Sequence, residues 1–268
     1  MSKYLNQLYF DDENSKRMHY VLGAFYANLS YDSAYGIIFR SNKRNLVELV
    51  QDELESNHSL IRDKRSNHHS YWIEIENAEY MRYRLQELGI VEDKSKRKFP
   101  SNMGKTYLSH FVRGFFDAKA RVHGKNGKLP SIEITFNKEF LLGLNGILAK
   151  YPGVEQVAPT QDFITYKGGD VSKIYDFIYG DWEYVRKSGS YVPLQKHRFD
   201  TDYELPEPKD HPLRAISLKR IERAKKLLGE GYKPKEIAKK LNYLNLFAFY
   251  RAFKHAVGLT TMEYKKLL

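Results

Sequence analysis

A short helical pattern occurs twice in this chain, and it narrows the available folds more than any other feature. Residues 20–30 and 110–120 align with Gly23 and Gly114 in register, and each glycine is followed four positions later by an alanine, Ala27 and Ala118. Positions i and i+4 share a helix face, so each helix presents a strip without side-chain bulk. Two such strips can cross with their backbones nearly touching, which relates the flanking halves by a pseudo-twofold axis inside one chain. A monomer is then the simpler expectation.

The order of elements after each glycine helix is also similar. Hydrophobic periodicity predicts a strand over 33–40, a helix over 43–55, a hairpin of 58–64 and 71–76 around the polar residues 65–70, and a helix over 78–88. After the second it predicts a strand over 131–136, a helix over 138–150, a hairpin of 154–158 with 162–167, and a helix over 171–179. Two αββαββα-like units, at about 18–95 and 105–195, make an α+β domain with antiparallel sheets over residues 1–199.

Val21–Leu29 (VLGAFYANL) and Val112–Ala120 (VRGFFDAKA) resemble the signature helices of the LAGLIDADG homing endonucleases. The resemblance covers roughly residues 18–182 and implies two helices packed at a central interface, with a saddle of antiparallel strands offered to DNA by each half. Family enzymes also place a carboxylate at the foot of each helix to hold divalent metal. Magnesium needs hard anionic oxygens, and displacement at phosphorus draws them from both sides. The matching positions are Asn28 and Lys119, an amide that binds metal weakly and an ammonium that repels it. Asp117 falls at the earlier acidic position, which has a structural part in the family, and Asp32 lies beyond the end of the first helix. No catalytic residue, no metal and no cofactor are expected, and the chain is not expected to be an enzyme. Lys119 instead suits a phosphate. On the strands and their connections, Arg40, Lys43, Arg44, Arg62, Lys64, Arg65, Lys119, Arg121, Lys125, Lys128 and Lys167 are candidate contacts to the DNA backbone. Acidic neighbours such as Glu74 and Glu76 leave open that these cations are only a solvated face.

The net charge of +11 is unevenly placed. Residues 209–268 hold 15 of the 44 Lys and Arg but only 5 of the 33 Asp and Glu, so the preceding residues carry 29 basic against 28 acidic groups. A neutral body with a basic terminal segment suits a polyanionic partner. The change falls at 200–213, where Pro206, Pro208 and Pro212 break regular structure and mark a linker. Beyond it, Ile221, Ala224, Leu227 and Leu228 form one apolar stripe, ended by Gly229 and Gly231. Pro234 opens a second helix with Ile237, Ala238 and Leu241 on its buried face. Leu246, Phe249, Phe253 and Val257 define a third, and the whole reads as a helix-turn-helix.

Ala224, Leu227, Leu228, Glu236, Ile237, Ala238, Leu241, Tyr243, Phe249, Arg251, Phe253, Lys254, Gly258, Thr260 and Tyr264 resemble the second helix-turn-helix of AraC-type regulators. That resemblance implies a module over 214–268 with Leu246, Phe247, Ala248 and Arg251 facing the bases. Arg251 would pair with guanine and the apolar three would touch thymine methyls. Lys235, Lys239 and Lys254 would meet phosphates. A LAGLIDADG body poor in carboxylates, followed by a helix-turn-helix, resembles the WhiA-type sporulation regulators in architecture, although their module is of another kind.

Other chemistries find little support. The chain has no Cys, which removes disulfides, thiolate nucleophiles and Cys-based zinc sites. Its nine His residues include His68 and His69 in a polar turn, without ligand spacing around them. Neither a phosphate loop nor a nucleophile elbow is present. No apolar run approaches a membrane span or a signal peptide. The expectation is a cytoplasmic, nucleoid-associated, monomeric transcriptional regulator bound to double-stranded DNA. The rival readings are a metal-dependent LAGLIDADG DNA endonuclease or RNA-splicing maturase, and a protein-interaction module built on the apolar face at Phe247.

Overall fold

The computed structural model describes residues 4–32, 36–63, 70–123, 131–192, 212–241, 243, 246, 249–250, 253, 257 and 259–265, with side chains described from residue 220 onward in the 212–241 stretch. The chain divides into two compact units, Met1–Leu205 and Pro206–Leu268.

In the first unit, α1 (Lys16–Asn28) begins where the Ser15 hydroxyl accepts the Met18 N–H at 3.1 Å. Strands β1 (Leu29–Tyr31) and β2 (Ile37–Ser41), helix α2 (Arg44–Glu53), strands β3 (Leu60–Arg62) and β4 (Tyr71–Ile75) and helix α3 (Glu79–Glu87) follow. The second half runs α4 (Lys105–Lys119), β5 (Arg121–His123), β6 (Ser131–Thr135), α5 (Lys138–Lys150), β7 (Phe163–Lys167), α6 (Gly169–Tyr179) and α7 (Trp182–Ser188). Among the described residues two antiparallel sheets result, ordered β1-β2-β4-β3 and β5-β6-β7. Strand alternation sends Phe39, Ile73 and Ile75 inward in the first sheet and Ile132, Ile134, Ile164 and Tyr166 inward in the second.

One predicted strand does not form. Residues 154–158 stay irregular, because side chains of neighbouring helices satisfy their backbone groups. The Asn145 amide of α5 donates to the Val157 carbonyl at 2.9 Å, and the Glu155 N–H donates to the Asp170 carboxylate of α6 at 3.3 Å. An isolated bridge between Thr160 and Phe163 is the pairing found next to this stretch, so among the described residues the second sheet has three strands. Conversely, β1, β5 and α7 carry no prediction above. The two strands have three residues each, too few to show a period.

Helices α1 and α4 cross at their glycines. A Cβ on Gly23 would lie 2.0 Å from the Phe111 carbonyl oxygen, and one on Gly114 would lie 1.9 Å from the Tyr20 carbonyl oxygen. Each glycine thus sits over the carbonyl three residues before the other, the reciprocal contact that two-fold related helices make. Both obstacles are backbone, so neither can move aside. Phe99, Phe111, Phe115, Phe136 and Phe140 pack ring on ring beside the crossing, with centroids 4.5–5.5 Å apart.

The second unit has its own core. Helix α8 (Pro212–Gly229) ends in a Schellman motif: Gly231, at φ +90°, donates to the Leu228 carbonyl and Tyr232 to the Leu227 carbonyl. Helix α9 (Pro234–Lys240) starts with Pro234, and its Glu236 carboxylate accepts the Lys233 N–H at 2.8 Å. Helix α10 (Thr261–Lys265) is capped reciprocally by Thr260 and Glu263. Ile221, Ala224, Leu228, Ile237, Ala238, Leu241, Phe249 and Phe253 are buried together, with Tyr243, Leu246, Val257 and Tyr264 against them. A shared apolar cluster of this kind gives so small a unit its stability.

Candidate nucleic-acid interface

The residues at the feet of α1 and α4 decide what chemistry the scaffold can support. The C-terminal carbonyls of α1 are met by Arg97, which is fully buried. Its Nη1 donates to the Tyr26 carbonyl at 2.8 Å, Nη2 to Leu29 at 3.0 Å and Nε to Val91 at 2.9 Å. A cation at a helix C-terminus also meets the negative end of the helix dipole. Burial still pulls the guanidinium down to about 10. At the end of α4 the Lys43 ammonium plays the matching part, donating to the Asp117 carbonyl. Lys43, a candidate DNA contact by sequence, is half-buried and engaged at the end of α4, whose orphan carbonyls need a donor. Arg44 is likewise occupied, paired with Glu48 one turn along α2 at 2.8 Å.

Asp117 is a structural carboxylate. It is buried, and its Oδ2 accepts the Tyr20 hydroxyl at 2.8 Å and the Val192 N–H at 2.9 Å. Burial raises it to about 6, against the opposing pull of Lys43 and the two hydrogen bonds. Beside it Arg113, also fully buried, donates to the carbonyls of Ser190 at 2.8 Å and Ile178 at 3.0 Å. The Nη2 of Arg113 lies 2.9 Å from Nδ1 of His110. Burial first and the Arg113 charge second push that imidazole down to about 3.

What reaches the surface at the foot is cationic. Lys119 is half-buried, its ammonium 5.8 Å from the centre of the Phe136 ring. Burial lowers its pKa, and the charges of Arg121 and Arg97 lower it further. Lys94 keeps solvent contact, yet enough protein surrounds its ammonium to push it down to about 8, with Arg97, Lys119 and Arg40 adding repulsion. Among the described residues, no carboxylate is among the groups acting on either lysine. Divalent metal does not fit this donor set of Asn28, Lys119, Lys94 and Arg97.

The sheets divide the remaining strand cations. Arg40 is exposed and stacks on Trp72, its cross-strand partner, at 4.7 Å. Arg62 pairs with Tyr71, one step along β4, so the pleat assigns it to the face opposite Arg40. Arg121 is exposed on the outer face of the second sheet, 3.9 Å from Glu133, with Lys167 exposed two positions along that face. Lys64, Arg65, Lys125 and Lys128 lie outside the described residues. Sequence reasoning passed over Lys94 and Arg97. Their signal was available as the run Lys94, Lys96, Arg97, Lys98 ahead of Pro100.

In the second unit Lys235 and Lys239 are exposed one turn apart on α9. Leu246 does not stand free as a base contact. It is half-buried against the unit's own core, because helical spacing from Phe249 and Phe253 puts it on their face. Phe247, Ala248, Arg251 and Lys254 lie outside the described residues. Among the described residues no helix is long and apolar enough to cross a membrane.

No family model matches the chain, and no curated protein matches it. Among solved structures it is similar to full-length DUF199/WhiA from Thermatoga maritima, with a TM-score of 0.45 and 14% identity, over 98% of this chain and 98% of that one.

Proposed function

We propose that the chain is a sequence-specific DNA-binding transcriptional regulator: a duplicated, catalytically inactive LAGLIDADG-like body over 1–199, a linker, and an AraC-type helix-turn-helix over 214–268. The observation that carries the reading is the pairing of a self-contained helical core with most of the chain's excess positive charge. Such a unit, small and basic, with exposed Lys235 and Lys239, suits the phosphates of a duplex. Base reading falls to Phe247, Ala248 and Arg251. The reciprocal glycine crossing and the matching element order support the duplicated body, and the cationic feet of its helices argue against metal-dependent cleavage. The protein acts in the cytoplasm, on the nucleoid, as a monomer.

The test is fluorescence anisotropy of the full chain on duplexes recovered from a random pool, read across salt. A steep salt slope is expected, shallower by about 0.9 for each phosphate contact removed. K235Q/K239Q is expected to weaken every duplex alike, and R251Q to lose the preference for the selected one. Binding untouched by all three changes sinks the proposal. Supercoiled DNA with magnesium is expected to stay intact, and cutting that depends on Asn28 or Asp117 would restore the endonuclease reading.

A further inference from the structure

One helix of the first unit meets solvent with an aromatic face. On α3, Met81 and Leu85 are buried, and helical spacing then turns residues 80, 83, 84 and 87 outward. Tyr80 is 44% and Tyr83 57% exposed. Beside them runs the segment before α1, whose single helical turn (Tyr9–Asp11) packs on α3. The Gln7 amide donates to the Asn77 carbonyl at 3.0 Å, and the Tyr80 hydroxyl donates to the Asp11 carboxylate at 2.9 Å. Leu8, between these two anchors and 62% exposed, is carried along the edge of that face. Among the described residues nine large apolar side chains are exposed, and five of them (Tyr4, Leu8, Tyr80, Tyr83 and Val91) fall within 4–8 and 80–91. Scattered singly, such residues need no partner; gathered on one face, they mark a contact surface.

The charge on this face runs against that of the chain. The Arg84 guanidinium meets three carboxylates, Asp11 at 3.3 Å, Glu87 at 3.0 Å and Glu13, so the cluster keeps an excess of two negative charges. Residues 4–15 and 79–92 together hold six Asp and Glu against two Arg, although the whole chain carries +11. The same carboxylates take up the ring hydroxyls, Tyr83 donating to Glu87 at 2.7 Å, which fixes where both rings stand. We propose that this face, Leu8, Tyr80 and Tyr83 framed by Asp11, Glu13 and Glu87, docks an arginine- and lysine-rich segment of a partner protein. A tyrosine ring attracts a guanidinium or ammonium, and carboxylates supply the counter-charge. The aliphatic stems of those cationic side chains cover apolar surface such as Leu8. Tyrosine is also among the side chains that contribute most to protein contacts. Nucleic acid does not suit this face, where its phosphates would meet carboxylates. The contact is independent of the DNA reading, which needs neither α3 nor the segment before α1.

The probe is a fluorescein-labelled dodecapeptide of alternating Arg and Gly, followed by anisotropy with the full chain; alternating Ser and Gly is the uncharged control. Wild type is expected to bind the basic peptide with a Kd on the order of 0.1 mM, more weakly as salt rises, and to leave the control free. Y80A/Y83A removes both rings and keeps every charge, and is expected to bind about tenfold more weakly. Y80F/Y83F keeps the rings and is expected to stay within about twofold of wild type. Both variants are expected to match wild type on duplex DNA, which separates failure here from failure of the DNA reading. No binding of the basic peptide by wild type overturns the proposal. So does binding unchanged in a Y80A/Y83A protein with a wild-type circular dichroism spectrum, or a Y80F/Y83F protein as weak as Y80A/Y83A. A wild-type dimer in sedimentation velocity that Y80A/Y83A abolishes would give the face to a second copy of the chain, and overturns it as well.

Discussion

Helices α1 and α4 make the same contact and then part company. At the crossing they make equivalent contacts, each glycine against the carbonyl three residues before the other glycine. Away from it, α4 carries buried His110, Arg113 and Asp117 and ends in Lys119, whereas α1 buries His19 and ends in Asn28. The backbone contact leaves no room for divergence, because a single methyl would have to occupy a carbonyl oxygen's place. Side chains around it are free to diverge, and they have taken charge to one helix. The crossing geometry is therefore shared by the two helices, while their chemistry is not.

The largest expected effect tests the shared part. G23A and G114A should each cost more than about 4 kcal/mol or prevent folding of the first unit, read by urea denaturation. G146A is the control, since a Cβ there meets nothing within 4 Å and helix propensity alone should add up to about 1 kcal/mol. If one crossing glycine tolerates alanine and the other does not, the two helices are not equivalent even at their contact.

Next in size is the pair of buried arginines, each serving backbone carbonyls from a different place in the chain. R97M strips donors from Tyr26, Leu29 and Val91, and R113M from Ser190 and Ile178. Each should cost about 3 kcal/mol in the same denaturation experiment, through acceptors left buried without partners. R97K should recover little, because one ammonium cannot span three carbonyls that a planar guanidinium reaches. A neutral result at either position would show that its carbonyls find other donors.

The glycine helices were legible because a tight crossing demands small residues at fixed spacing, and α5 matched the periodicity at both ends. The terminal unit was legible for a similar reason: its caps and apolar stripes are local. Failures came where tertiary contacts override local pattern. Residues 154–158 are apolar enough for a strand, but Asn145 and Asp170, distant in sequence, take its hydrogen bonds. Lys43 reads as a DNA contact and Arg97 was passed over, and nothing in their immediate neighbours tells that helix ends will need them. Leu246 could satisfy a core or a base, and only the helical phase set by Phe249 and Phe253 decides between them.

An effect that shows only as a change with pH concerns the ionisable pair that α4 alone buries. The folded Asp117 titrates near 6, above its ordinary value of 3.8, so between about pH 4 and 6 the native state holds the proton that the unfolded chain has lost. This contribution favours folding at acid pH and is lost as the pH rises through 6, by about 1.4 kcal/mol per pH unit. His110 has the opposite sign. Its folded value near 3 lies below the ordinary 6.5, so in the same window the unfolded chain takes a proton that the native state refuses, and stability falls as the pH falls. Across pH 4–6 the two slopes cancel in the wild type. D117N removes the first, and its stability relative to wild type should rise by about 3 kcal/mol from pH 4 to 7. H110Q removes the second, and its relative stability should rise as the pH falls below 6. Asn and Gln each keep an oxygen acceptor, for the Tyr20 hydroxyl and the Arg113 guanidinium respectively, so the packing changes little and the pH profile is the readout. Parallel profiles for D117N and wild type would mean that Asp117 is ionised in the fold throughout, held by Lys43 and Arg113, and that the charges of α4 neutralise one another within the core.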